Sequence, residues 1–128
     1  MDTWSKTLID IVKELNTNNI AYVLVASGAL KVLGVEITPY DIDLFTTKEN
    51  VKKCRKIFED IAINDMHVYK DQSGEYIEFQ AILNEVPIEF CELKNANFKD
   101  TTKVEFYGVD ITIPNNTIES ELEKNREL

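Results

Sequence analysis

The sequence contains few cysteine and histidine residues, the types that form disulfide bonds and structural zinc sites. Its 128 residues include two cysteines, Cys54 and Cys91, and one histidine, His67. Two cysteines argue against a disulfide framework, and a lone histidine without nearby cysteine partners does not make a zinc site. Because reduced thiols are typical of cytoplasmic proteins, we expect a cytoplasmic location.

Long apolar runs and flexible linkers are also scarce. The longest apolar run, residues 20–26, is strand-sized, whereas a membrane helix needs about 20 such residues. The N-terminus lacks the basic start and apolar centre of a signal peptide. Four glycines and three prolines form no linker. We therefore expect a single domain over residues 1–128 and no membrane partner.

Basic residues are outnumbered, and this limits the classes of partner. Twenty-three acidic residues against 14 basic ones give a net charge of −9. Phosphate backbones repel such a surface, so we expect no nucleic-acid partner.

The hydrophobic pattern predicts alternating helices and strands in the first half of the chain. Apolar residues from Trp4 to Leu15 have the spacing of an amphipathic helix. Residues 20–25 are apolar on both faces, which is typical of a buried strand. A short helix over residues 29–33, a strand over 41–45 and a helix with an apolar stripe from Val51 to Ile61 are expected to follow.

From His67 onward the apolar period changes to two, which favours strands. Residues 76–83 and 86–93 are predicted to form a β-hairpin across Asn84 and Glu85, and residues 104–106 and 109–113 a second one. A last helix is predicted around Ile118 and Leu122. This order predicts an α+β domain, a mixed β-sheet with helices packed on one face.

Asp41 and Asp43 flank Ile42 on a predicted strand, so both carboxylates lie on one face. Ile42 and Leu44 then point to the core. Two such acids repel each other unless a cation lies between them, and hard oxygen ligands suit Mg²⁺. The alternative is a solvated strand face.

A candidate phosphate site precedes these acids. Ala26, Ser27 and Gly28 stand where the buried strand gives way to a helix. A helix N-terminus presents free N–H groups to phosphates, and the Ser27 hydroxyl adds another donor. Lys31, one turn into the helix, is long enough to reach a phosphate, and the alternative is a solvated lysine. The alternative is a tight turn with Ser27 as helix N-cap.

A third acid is expected to join the two aspartates. Glu89 lies between Ile88 and Phe90 and must face away from the core, as the aspartates do. Glu78 shows the same pattern and is the competing candidate, and Glu92 ranks behind Glu89.

The segment of residues 23–44 (VLVASGALKVLGVEITPYDIDL) resembles the sequence signature of the DNA polymerase β-type nucleotidyltransferase superfamily. That signature is a strand, a Gly-Gly or Gly-Ser pair opening a helix, a glycine ending it, and Asp-x-Asp on the next strand. Ala26 and Ser27 match the pair and Gly34 matches the ending glycine. The similarity is to small, stand-alone bacterial and archaeal members, and over residues 1–95 it includes the order of elements.

The resemblance implies a Mg²⁺-dependent transfer of a nucleotidyl group from an NTP, expected to be ATP, to a hydroxyl of a protein or small molecule. Asp41, Asp43 and Glu89 would be the catalytic and metal-binding residues, and Ala26, Ser27, Gly28 and Lys31 would bind the nucleotide. Alanine and glutamate stand where members usually carry glycine and aspartate. The alternative is a catalytically weakened, antitoxin-like binding or regulatory module with a partner protein.

Overall fold

A mixed five-stranded sheet organises the computed structural model, which describes residues 1–94 and 98–118. The helices are α1 (Thr3–Thr17), α2 (Ala26–Val32) and α3 (Lys48–Ile57). The strands are β1 (Val23–Val25), β2 (Ile42–Thr46), β3 (His67–Asp71), β4 (Gly74–Leu83), β5 (Val86–Glu92), β6 (Thr101–Phe106) and β7 (Val109–Pro114). The strand order in the sheet is β1-β2-β5-β4-β3, and a separate hairpin contains β6 and β7. The predicted α+β class is confirmed.

The first and third helices begin at side-chain caps and bury one apolar stripe each. The Asp2 carboxylate accepts the N–H of Ser5 at 2.7 Å at the start of α1, and the Thr47 hydroxyl accepts the N–H of Asn50 at 3.1 Å at the start of α3. Each cap satisfies a donor that has no partner within the helix. The predicted stripe of α1 is buried at Trp4, Leu8, Ile11, Val12 and Leu15. On and after α3, Val51, Cys54 and Phe58 are buried, whereas Ile61 is only partly buried.

Strand alternation divides the sheet into an apolar face and a polar face. Ile42 and Leu44 on β2 are buried in one core with the neighbouring strand residues Ile88, Phe90, Phe79 and Ala81. The rings of Phe79 and Phe90 stack with their centroids 4.7 Å apart, and Phe58 lies 5.0 Å from Phe90. The helices cover this face, so the side chains between the apolar ones point to the opposite face.

Both predicted hairpins form, with turn residues in the left-handed conformation. Asn84 and Glu85 have φ of 53° and 66° between β4 and β5, and Tyr107 and Gly108 have φ of 49° and 79° between β6 and β7. Such paired positive φ values match the twist of a two-residue hairpin turn.

Several predicted boundaries differ from the structure; for example, the strand predicted over residues 104–106 begins at Thr101. The strand predicted over residues 20–25 pairs only at Val23–Val25, because the Ala21 carbonyl instead accepts the Thr46 hydroxyl at 2.5 Å. The short helix begins at Ala26 instead of residue 29, and β2 begins at Ile42, so Asp41 precedes it. The predicted last helix lies largely outside the described residues, and Leu122 lies wholly outside them.

Within the described part of the chain, no helix is both long and apolar enough to cross a membrane.

Candidate active site

Three carboxylates meet on the polar face of the sheet. Asp43 and Glu89 are direct partners in the parallel pairing of β2 with β5. Asp41 precedes β2 by one residue, and one carboxylate oxygen from each of Asp41, Asp43 and Glu89 lies within 4.8 Å of the others. All three side chains are partly buried. The structure thus brings together the three residues that the sequence predicts as the acidic site.

The environment of Asp43 makes its negative charge unfavourable when no cation is bound. Partial burial, followed by the charges of Asp41 and Glu89, raises the pKa of Asp43 from 3.8 to about 7. Three oxygen donors within a small space are the ligand type that Mg²⁺ prefers, and a divalent cation would offset their repulsion. The donor set therefore fits a magnesium ion.

A tryptophan on α1 holds the backbone at Asp41. The indole N–H of Trp4 donates to the main-chain carbonyl of Asp41 at 2.9 Å, and Trp4 is only 5% exposed. Asp41 lies outside the strand ladder, so this bond fixes a segment that the sheet does not. This contact was not predicted from the sequence, although a tryptophan in an apolar stripe indicates a buried N–H that needs an acceptor.

The turn between β1 and α2 lies beside the carboxylates. Val25, the last residue of β1, is the partner of Asp43 in the antiparallel pairing with β2. Ala26 follows with φ of 61°, a left-handed conformation that favours glycine, and opens α2. An alanine in this conformation carries backbone strain that a glycine would not.

Ser27 lies inside the first turn of α2, so the alternative that Ser27 is the helix N-cap is wrong. The N-cap is Val25, and no side chain caps it. The first N–H groups of the helix therefore have no side-chain acceptor from the N-cap, and the predicted phosphate role of Ala26 and Ser27 stays a prediction.

Two other predicted nucleotide-binding residues have structural partners. A Cβ atom on Gly28 would lie 3.1 Å from side-chain atoms of both Leu24 and Trp4, so the glycine lets α2 pack closely on the core. The Lys31 ammonium lies 3.8 Å from the Asp2 carboxylate. Their predicted roles toward phosphate stay predictions.

The competing third acids lie to one side of the aspartates. Glu78 on β4 pairs with Cys91, and its carboxylate accepts the Gln80 amide at 2.8 Å. Glu78 lies close to Glu89 and Cys91 instead of the aspartates. Glu92 accepts the N–H of Ile77 at 3.0 Å. Because Glu89 is the direct strand partner of Asp43, the structure favours Glu89 as the third carboxylate.

The free thiols do not supply a nucleophile. Burial, with the charges of Glu89 and Glu78 adding to it, raises the pKa of Cys91 well above its usual range. Burial also raises the pKa of Cys54 to about 12. Both thiols therefore stay protonated at neutral pH, which makes them poor nucleophiles.

A family model matches nearly the whole chain. The family is described as a nucleotidyl transferase of unknown function (DUF2204), and the match runs over residues 4–126. The chain belongs to this family. A comparison with curated protein sequences gives no match.

Solved structures with the same fold are also nucleotidyltransferases by description. A protein from Thermotoga maritima (TM1012), assigned as a nucleotidyltransferase, has a TM-score of 0.80 and 18% identity over 96% of this chain and 85% of its own. ANT(2″)-Ia, solved with adenylyl-2″-tobramycin, has a TM-score of 0.65 and 16% identity over 99% of this chain and 79% of its own. At such identities these similarities establish the nucleotidyltransferase fold alone.

Proposed function

We propose that the protein transfers a nucleotidyl group from an NTP, with ATP as the donor, to a hydroxyl of a small molecule or protein in a Mg²⁺-dependent reaction. One observation carries this proposal: the pairing of Asp43 with both Glu89 and Val25 brings three carboxylates and the start of α2 to one place. Membership of a nucleotidyltransferase family supports the reaction type.

In the proposed reaction, Asp41, Asp43 and Glu89 would hold Mg²⁺. When bound, this ion offsets the negative charge of the phosphates and of the leaving pyrophosphate. The acceptor oxygen forms a bond to phosphorus as the bond to pyrophosphate breaks, and Glu89 accepts the hydroxyl proton. Ser27 and the first N–H groups of α2 hold the outer phosphates. Trp4 keeps Asp41 in place through the main-chain carbonyl.

The choice of donor and acceptor has separate support. The complex of ANT(2″)-Ia contains an adenylylated small molecule, which favours ATP as donor and a small hydroxylated acceptor. The net charge of −9 disfavours a polynucleotide acceptor. We also propose that residues 1–128 act as one unit, and that the reaction takes place in the cytoplasm, where Cys54 and Cys91 would stay reduced.

The direct test is incubation with Mg²⁺ and each of the four labelled NTPs, with a panel of hydroxylated small molecules and with cell extract as a source of protein acceptors. Label transfer with release of pyrophosphate, strongest with ATP and absent in Asp43→Asn, is expected. Mg²⁺-dependent NTP binding without turnover under any condition would favour the regulatory module. No Mg²⁺-dependent NTP binding would refute the proposal.

A further inference from the structure

A cavity of about 490 Å³ lies on the polar face of the sheet, next to the three carboxylates. Residues of β3, β4 and β5 line it, together with Phe45 near the end of β2. Glu89 belongs both to this lining and to the cluster with Asp41 and Asp43. The volume is in the usual range of small-molecule sites, and the shared Glu89 places the cavity beside the proposed reaction centre.

Aromatic rings form part of the cavity wall. Tyr69 and Tyr76 are direct partners across β3 and β4, and both line the cavity. The Lys94 ammonium lies 4.9 Å from the centroid of the Tyr76 ring, so one ring of this wall already contacts an ammonium group. Electron-rich ring faces attract cations, and they also cover the apolar faces of sugar rings.

Carboxylates form the rest of the polar lining. Asp71, Glu78 and Glu92 line the cavity with Glu89. Among the described residues, the Lys94 ammonium contacts the Tyr76 ring of this lining, and the His67 Nε2 lies 3.7 Å from the Glu78 carboxylate. Hydrogen bonds from Ser73 lower the pKa of Asp71 and keep its carboxylate charged. The lining therefore carries more negative than positive groups, and it would repel an anionic acceptor.

We propose that this cavity is the acceptor site and that it selects a hydroxylated small molecule bearing protonated amines, with an amino sugar as the representative class. Glu78 and Glu92 would pair with the ammonium groups, while Tyr69 and Tyr76 would contact the ring faces. An acceptor hydroxyl would then face Glu89, which receives its proton as the oxygen–phosphorus bond forms and pyrophosphate leaves. This proposal rests on the proposed function for the reaction, but its binding preference can be measured separately.

Two sugars that differ in charge provide the probe. The β-1,4-linked disaccharide of glucosamine carries two amines, whereas its di-N-acetyl form has the same sugar skeleton without the charges. Calorimetric titration of each, at neutral pH with saturating Mg²⁺ and with and without a non-hydrolysable ATP analogue, measures the preference. Roughly tenfold tighter binding of the amine form is expected, since charge-assisted hydrogen bonds form only with that ligand.

Variants of the lining residues test whether the preference for the amine form arises in the cavity. Glu78→Gln and Glu92→Gln keep side chains of similar size and an oxygen acceptor, so each should lose most of the discrimination between the two sugars. Glu59→Gln, which changes an exposed acid outside the cavity, should behave like the parent protein. Because the acetyl groups add bulk as well as remove charge, loss of discrimination in the cavity variants separates charge from size.

The possible failures are distinguishable. If the ATP analogue binds with Mg²⁺ but the two disaccharides bind equally, or the amine form does not bind, the acceptor proposal is wrong and the proposed function stands. The acceptor proposal is also overturned if the glutamine variants keep the full preference for the amine form. If the sugar preference is found but no nucleotide binds, the cavity selects amino sugars and the proposed transfer reaction is refuted.

Discussion

The indole N–H of Trp4 donates to the main-chain carbonyl of Asp41 at 2.9 Å. This bond links a buried residue of α1 to the segment that carries the first aspartate, one residue before the strand ladder begins. Trp4 also contacts Phe106 of β6, with ring centroids 6.5 Å apart. The placement of Asp41 therefore depends on the core as well as on the sheet.

We predict that Trp4→Phe lowers the free energy of unfolding by about 1–3 kcal/mol, because it leaves the Asp41 carbonyl without its donor and shortens a buried ring. It should also weaken Mg²⁺-dependent binding of an ATP analogue. Urea unfolding and calorimetry measure the two effects. Phe106→Leu is the control, since it removes the ring contact and keeps the hydrogen bond. Equal loss of nucleotide affinity in both variants would show that the hydrogen bond has no positioning role.

The raised pKa of Asp43 predicts an unusual pH dependence for the metal-free protein. Between the ordinary value of 3.8 and the folded value of about 7, the folded state binds more protons than the unfolded state. The contribution of this group to the free energy of unfolding is therefore present at low pH and is lost as the pH rises through this window. The direction is opposite to that of a salt-bridged aspartate.

Asp43→Asn removes this titration without changing the size of the side chain. We expect the free energy of unfolding of the variant, relative to that of the parent, to rise by about 1–2 kcal/mol as the pH goes from about 4.5 to about 7.5. This value is smaller than the full pKa shift implies, because solvent screens the partly exposed carboxylate. Urea unfolding in the presence of a chelator measures it. A difference that does not vary with pH would contradict the assigned electrostatics.

The carboxylate cluster predicts a pattern across four variants. At a ligand concentration about 100-fold above Kd, Mg²⁺ with an ATP analogue should raise the Tm of the parent by roughly 5–15 °C. Asp41→Asn, Asp43→Asn and Glu89→Gln should lose most of this rise, and Glu78→Gln should keep it. Thermal scans test all four. If the Glu78 variant loses the rise and the Glu89 variant keeps it, the third carboxylate belongs to the neighbouring strand.

The left-handed backbone at Ala26 predicts that glycine is tolerated there. Ala26→Gly relieves a conformation that costs an L-residue about 1–2 kcal/mol, while the greater freedom of glycine in the unfolded chain costs about 0.5–1 kcal/mol. A net change between zero and a gain of about 1.5 kcal/mol in unfolding free energy is expected. Ala29→Gly, inside the same helix and buried, should lose about 1 kcal/mol. Chemical denaturation that shows equal losses in both variants would contradict the strain at Ala26.

Much of the acidic site could be predicted because it follows from local alternation. Ile42 and Leu44 must face the core, which places Asp43 on the opposite face, and the same reasoning applies to Glu89 between Ile88 and Phe90. Alternation does not predict which strand pairs with β5. Its parallel pairing with β2 joins segments far apart in the chain, so the choice between Glu89 and Glu78 required the structure.

Tertiary contacts also account for the details that the sequence did not reveal. The early start of α2 depends on the left-handed Ala26, whereas propensity alone favours the apolar residues that follow. The shortened β1 depends on the Thr46 hydroxyl, which takes the Ala21 carbonyl out of the ladder. The cavity depends on strand register, which sets Tyr69 opposite Tyr76 and Glu78 opposite Cys91.

In the proposed function, Asp41, Asp43 and Glu89 form one metal site that receives an NTP. The most direct measurement is a crystal structure of the protein with a non-hydrolysable ATP analogue and Mn²⁺, which replaces Mg²⁺ and gives an anomalous signal. We expect an anomalous peak coordinated by these three carboxylates and by phosphate oxygens, with the outer phosphates at the start of α2. Nucleotide and metal bound elsewhere, with no ion at the three carboxylates, would contradict it.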